Sequence, residues 1–224
     1  MISGRSTSRV RAAVLLVVLP CLAATVGCAR AVDGVPAAAP PEAFPDSADD
    51  LGALVVTEVP SGLPRLPDEE LEPPAGAKAV DDIADYSDDP ARELDVLEGY
   101  GYRHGWERFW GTGSGPMTGV FVDQFASRAG AGAYAEDLAR NDAEHYDGVL
   151  HDNPPQLPGG CRMLTVDSPE AGADAQEALG GPAALAWCGH GPFSVSVTSV
   201  AETLDAAEEE VRAVVEEQLD RLPR

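Results

Sequence analysis

The sequence predicts an α+β domain: an antiparallel sheet of about five strands with helices packed mainly on one face, and an amphipathic helix at the C-terminus. Three observations lead to this fold class. Two pairs of segments with alternating apolar and polar residues flank short glycine-rich turns. Helical patterns stand between and around these pairs rather than alternating with single strands. The end of the chain carries an apolar stripe at helical spacing.

The first predicted hairpin joins residues 102–110 to residues 117–125 through the sequence GTGSG. Trp106, Arg108 and Trp110 fall on one face of the first strand, because successive side chains of a strand point to opposite sides. Glycine and serine in the connection favour a turn. The two segments are therefore expected to pair in antiparallel fashion.

Three further strands are predicted in the second half of the chain, at residues 161–166, 183–188 and 193–200. The last two are expected to form a hairpin about the sequence GHGP. The final strand alternates Phe193, Val195 and Val197, expected to face inward, with serine and threonine, expected to face outward.

Helices are predicted where apolar residues repeat every three or four positions. Residues 79–99 have this pattern and are expected to divide at Pro90, because proline removes a backbone donor inside a helix. Ser127 is a favourable N-cap for a helix that ends near Asn141, and the last helix is expected to begin near Asp205.

The beginning of the chain has the composition of a secretion signal. Three arginines and no acid precede an apolar run that ends in the sequence TVGC, which resembles a bacterial lipobox although Thr25 replaces the usual leucine. The run is shorter than the roughly 20 residues that span a bilayer. Residues 1–27 are therefore predicted to be a signal peptide and Cys28 the lipidated residue. An ordinary secretory cleavage and a retained membrane helix are the alternatives.

The remaining chain is predicted to have two parts. Residues 28–50, rich in alanine and proline, are expected to form a flexible tether, and residues 51–224 a single α+β domain. A lipidated Cys28 predicts a protein held by its lipid anchor at the extracytoplasmic face of the cell membrane.

The number and spacing of the cysteines are typical of a protein in an oxidising compartment. Cys21 lies in the predicted signal and Cys28 is the predicted lipid site, which leaves Cys161 and Cys188. An even pair without C-x-x-C spacing predicts a structural disulfide rather than a thiol-redox site.

The charge of the chain excludes one class of partner. It holds 38 acidic against 15 basic residues, a formal net charge of −23. Such a surface repels nucleic acid, so no nucleic-acid partner is expected. A solvated acidic surface is preferred to a specific site for cations.

No catalytic residue, cofactor or metal site is predicted. Ser114 stands between two glycines but lacks the G-x-S-x-G spacing, and no phosphate-binding glycine motif is present. His145 and His151 lie in an acidic segment, yet they lack the H-E-x-x-H spacing of a zinc site. A solvated loop accounts for this segment, and the protein is predicted not to be an enzyme.

Trp106, Arg108 and Trp110 are the candidate ligand-binding residues. With Arg103 and Phe109 they form an aromatic and basic cluster in an otherwise acidic domain, and such a cluster suits an apolar or sugar-bearing envelope ligand. The alternative is that one face of this strand belongs to the core.

The lipobox, the proline-rich leader and three segments, GYRHGWERFW, VFVDQFASRAGAGAYAEDLARN and EEEVRAVVEEQLDRLP, resemble uncharacterised cell-envelope lipoproteins of mycobacteria and related actinobacteria. More distantly, the order of elements is similar to extracellular sensor domains of actinobacterial receptor kinases. The resemblance implies a surface-tethered module whose ligand is unknown.

The function predicted from the sequence is therefore a membrane-tethered, non-enzymatic module that binds an envelope ligand or a protein partner. A carrier of a small ligand or lipid is the first alternative, and it requires a cavity between the sheet and the helices. A metal-dependent hydrolase using His145 and His151 is the second.

Overall fold

The computed structural model describes residues 44–113, 115–146, 148–167 and 179–224. Seven strands of these residues form one antiparallel sheet in the order β1-β2-β3-β7-β6-β5-β4. The strands are β1 (Gly76–Lys78), β2 (Tyr102–Gly111), β3 (Met117–Phe125), β4 (Val149–Asp152), β5 (Cys161–Val166), β6 (Ala183–His190) and β7 (Phe193–Val200). The antiparallel sheet is confirmed, whereas the prediction of about five strands is corrected to seven.

The two strands that the sequence pattern missed, β1 and β4, are the edges of the sheet. They have three and four residues, too few for an alternating pattern to stand out. Pairing with β2 and β5 specifies them instead.

Five helices pack against the sheet in the described residues: α1 (Ala48–Gly52), α2 (Val80–Ala84), α3 (Pro90–Tyr100), α4 (Arg128–His145) and α5 (Leu204–Arg221). Pro90 is the first residue of α3, as expected from its fixed φ angle. The Ser127 side chain caps α4 by accepting from the Gly130 amide, and the C-terminal helix is confirmed. It begins at Leu204, which confirms the predicted start near Asp205, and its N-cap is Thr203.

Helices cover both faces of the sheet, which corrects the prediction that they pack mainly on one face. On one face, Val195 and Val197 of β7 pack in the same cluster as Val211 and Val215 of α5. On the other face, alternate residues of β5 and β6 pack with the alanines of α4. Ser194 and Ser196 of β7, predicted to face outward, are consequently buried on the α4 face.

Buried polar side chains fix the segment after α1 to the α5 face. The Arg108 guanidinium donates to the backbone carbonyls of Val55 (2.9 Å), Val56 (2.7 Å) and Gly52 (3.2 Å). From α5, Gln218 accepts from the Val56 amide at 2.9 Å. Because this segment has no strand partner at these residues, side chains satisfy its backbone groups.

The disulfide predicted between Cys161 and Cys188 is confirmed. The two residues are direct partners in the pairing of β5 with β6, and their side chains lie in the core on the α5 face. The bond therefore links neighbouring strands that are already paired.

The predicted signal peptide (residues 1–27), Cys28 and most of the predicted tether lie outside the described residues. Their roles stay predictions from the sequence.

Removing the disulfide is expected to destabilise the domain. The bond closes a loop with a sequence separation of 27, and the Cys161→Ala/Cys188→Ala double variant is expected to lose roughly 3–4 kcal/mol of unfolding free energy. Urea denaturation of the oxidised wild type, the reduced wild type and the variant measures this loss. Equal stability of all three would contradict the expectation.

Replacing Arg108 is expected to release the segment after α1. The Arg108→Met variant leaves three backbone carbonyls without their donors in a region where Arg108 itself is only 8 % exposed. We expect a loss of roughly 3 kcal/mol and faster proteolysis within residues 52–56. The control is Arg92→Met on exposed α3, for which unchanged stability is expected. Similar behaviour of both variants would show that the three contacts stabilise little.

Candidate functional site

A cavity of about 380 Å³ lies on the α4 face of the sheet, between α4 and the end of α2. Its volume falls within the range of roughly 300–1,000 Å³ that is typical of small-molecule sites. The side chains that line it come from α2 and the residues after it, β2, β3, α4, β6 and β7; they include Ile83, Tyr86, Glu107, Phe109, Met117, Phe121, Asp123, Tyr134, Leu138, Asp142, Tyr146, Leu185, Trp187, Ser196 and Thr198. The site is therefore apolar in most of its wall and acidic at a few points.

Small side chains in the middle of the sheet leave this space open. Gly119, Ser196 and Thr198 all line the cavity on adjacent strands β3 and β7. At Gly119 an added Cβ would lie 2.9 Å from the ring of Phe109 and 3.3 Å from the ring of Phe121. The glycine thus lets both rings lie close to the sheet, and larger residues at these positions would fill the cavity.

Aromatic rings form the wall of the cavity at β2 and β3. Phe109 and Phe121 meet edge to face with centroids 5.3 Å apart, and both remain partly exposed. Trp187 of β6 and Tyr134 of α4 contribute buried rings to the same cavity. Such a wall offers dispersion contacts and, for a cation, the negative faces of the rings.

Glu107 on the cavity wall is neutralised within the protein. Its carboxylate lies 3.1 Å from Nζ of Lys78, whose side chain is 4 % exposed, and accepts the Tyr86 hydroxyl at 3.0 Å. Burial raises the pKa of Glu107, while Lys78 and Tyr86 act to lower it. The single lysine of the chain is therefore committed to this internal pair.

Asp123 is a buried carboxyl group on the cavity wall. Burial raises its pKa to about 7 and the charge of Glu107 acts in the same direction, while the Tyr102 hydroxyl opposes them. The side chain occupies space above Gly105, where an added Cβ would overlap the carboxyl and lie 2.6 Å from the Tyr102 hydroxyl. No ion pair to Asp123 exists among the described residues.

Two further polar groups face the cavity. Burial raises the pKa of Asp142 on α4 to about 6, although the nearby His145 lowers it. The hydroxyl of Ser196 is buried without a hydrogen-bond partner among the described residues. An unpaired buried hydroxyl costs free energy that a polar ligand atom would recover.

Trp106, Arg108 and Trp110 lie on the opposite face of β2 from the cavity. Trp110 is buried in the core of the α5 face, the Trp106 ring lies against Gly52, and Arg108 binds backbone carbonyls. Their described contacts are internal to the domain, and a role in ligand binding stays a prediction. Phe109, from the same sequence cluster, points to the cavity instead.

The two histidines of the acidic segment, His145 and His151, contact different residues. The His145 ring meets the Tyr146 ring edge to face, with centroids 4.8 Å apart, while Nε2 of His151 lies 3.4 Å from the Thr165 hydroxyl on β5. In the described part of the chain, no group of three or more His, Cys, Asp or Glu side chains is placed to hold a metal ion. Ser114 and Asp147 lie outside that part.

Sequence reasoning missed Glu107, Asp123 and Ser196 as site residues. A signal existed for the two acids, since each interrupts the apolar face of a predicted strand. The net charge of the chain favours a solvated acidic surface, whereas both of these acids are buried. Burial on both faces of the sheet makes them functional candidates.

Asp123 is expected to make the domain less stable as the pH rises. Its folded-state pKa of about 7 exceeds the unfolded value of about 3.9, so the native state holds more protons between these limits. Its contribution is complete below about pH 4 and is lost as the pH approaches 7, a decrease of roughly 4 kcal/mol in unfolding free energy. Asp142 acts in the same direction.

Urea denaturation at about pH 4 and about pH 8 measures this decrease. The Asp123→Asn variant is expected to show a much smaller decrease, because asparagine does not titrate. Asp95→Asn, on the exposed side of α3, removes the same charge and is expected to leave the decrease unchanged. If the Asp123→Asn variant showed the same decrease in unfolding free energy as the wild type, groups other than Asp123 would be its cause.

None of the helices in the described ranges combines the length and the apolar character needed to cross a membrane.

No family model matches this chain, and no curated protein matches it. Among solved structures, the fold is weakly similar to the crystal structure of the extracellular domain of PknH from Mycobacterium tuberculosis. The TM-score is 0.41 and the identity 13 %, over 66 % of this chain and 78 % of that one. At these values the similarity supports no inference about ligand or activity. The resemblance to actinobacterial envelope lipoproteins stays a prediction from the sequence.

Proposed function

We propose that the protein is a non-enzymatic binding module that takes a small, mainly apolar ligand into the cavity between α4 and the sheet. One observation carries this proposal: a cavity of about 380 Å³ with aromatic walls and a few convergent polar groups. A carrier of a small ligand requires such a cavity, and a filled core would have opposed it. This alternative from the sequence is therefore preferred to binding of a protein partner.

The location that we propose is extracytoplasmic, with Cys28 lipidated and the part of the predicted tether that precedes α1 linking it to the domain. The disulfide between Cys161 and Cys188 supports an oxidising compartment. The lipid anchor and the signal peptide are proposed from the sequence pattern alone.

Binding of a neutral, environment-sensitive dye such as N-phenyl-1-naphthylamine tests the proposed function. We expect saturable enhancement of its fluorescence by the purified full-length protein. In the Ser196→Leu variant the larger side chain projects into the cavity, so we expect binding to weaken about tenfold or more, or 1.4 kcal/mol.

The control for this variant is Thr57→Leu, which adds a leucine at an exposed position away from the cavity. Its affinity for the dye is expected to equal that of the wild type. Absence of saturable binding to the wild type, or equal weakening by both variants, would overturn the proposed function. Urea denaturation establishes that each variant is folded.

A further inference from the structure

We propose that the ligand of this cavity is an apolar cation, a quaternary ammonium or a protonated amine, and that Asp123 is its counter-ion. This inference rests on the proposed function, because it names the chemical class of the ligand that the same cavity would take. It is carried by the distribution of charge around the cavity rather than by its shape.

The carboxyl groups on the cavity wall differ in how the protein compensates them. Glu107 has Lys78 at 3.1 Å and a hydroxyl donor from Tyr86. Asp142 has His145 nearby. Asp123, only 7 % exposed, has no Lys, Arg or His within ion-pair distance among the described residues. Asp123 is therefore the carboxyl group that a positive charge on a ligand would compensate.

The groups that surround Asp123 would not neutralise it. Tyr102 and Glu107 interact with it from β2, and Tyr134 from α4. The tyrosines are uncharged, and Glu107 is already bound to Lys78. A buried carboxylate without a positive partner is costly, so a ligand that brings the positive charge gains free energy that a neutral one does not.

The apolar part of the wall suits the same ligand. Phe109, Phe121 and Trp187 line the cavity along with the carboxyl groups. Aromatic rings attract a cation through their negative faces, and quaternary ammonium groups are recognised by such rings in other proteins. An anionic ligand would meet carboxyl groups of three residues at this site, and a purely apolar one would leave Asp123 uncompensated.

A matched set of three ligands tests the inference: decyltrimethylammonium, decanol and decanoate, which share one alkyl chain and differ in charge. Isothermal titration calorimetry and displacement of N-phenyl-1-naphthylamine from the full-length protein measure their affinities, below the concentrations at which they form micelles. We expect the cation to bind about tenfold or more tightly than the alcohol, and decanoate to bind weakest.

The Asp123→Asn variant is expected to bring the affinity ratio of cation to alcohol close to one. Asp95→Asn, which removes an exposed carboxylate of the same type, is expected to keep the wild-type ratio and so excludes a general effect of net charge. A preserved ratio in Asp123→Asn would overturn the role of Asp123.

The ligand series also separates the two proposals. If decanol binds the wild type as tightly as the cation and displaces the dye, this inference fails and the proposed function stands. If neither the dye nor any of the three ligands binds, the proposed function fails and this inference fails with it.

Discussion

The rest of the structure depends on a sheet whose central strands are covered on both faces, with side chains of different size on each face. On the α5 face, β7 presents Phe193, Val195 and Val197, which fill the space beneath the C-terminal helix. On the α4 face the same strand presents serine and threonine, and β3 presents Gly119. The first set makes a tightly packed core, whereas the second leaves a cavity that protein atoms do not fill. The core and the candidate site therefore lie on opposite faces of the same strands.

The buried charged side chains also differ between the two faces of the sheet. On the α5 face, the buried Arg108 binds backbone carbonyls, and Glu210 accepts from the Ser61 amide and hydroxyl. These contacts fix the segment after α1, although Nε of Arg108 has no hydrogen-bond partner among the described residues. On the α4 face, Glu107 has an ion pair with Lys78, whereas Asp123 has no ion pair among the described residues and the Ser196 hydroxyl has no hydrogen-bond partner among them. A buried carboxyl group without an ion pair, lining the same cavity as an unpartnered hydroxyl, favours a binding site over a structural role.

The cluster of Trp106, Arg108, Phe109 and Trp110 shows what the alternation of residues along one strand can and cannot predict. Alternation along β2 correctly separated Phe109 from the other three, since the period of a strand is fixed by its backbone. The pattern did not indicate which face would be closed by α5 and the segment after α1. That depends on residues more than fifty positions away in sequence, such as Val55.

Local sequence features were enough to predict the antiparallel pairing of both hairpins, the division of the helical stretch at Pro90, the N-cap at Ser127 and the partnership of Cys161 with Cys188. These features follow from local backbone preferences, from residue periodicity and from the small number of cysteines. The tertiary structure alone decided the two edge strands, the covering of both faces, and the cavity that brings Asp123 to a wall of aromatic rings. Short edge strands have no distinctive local signal, and the acids inside strands acquire their roles only through long-range pairing and burial by distant helices.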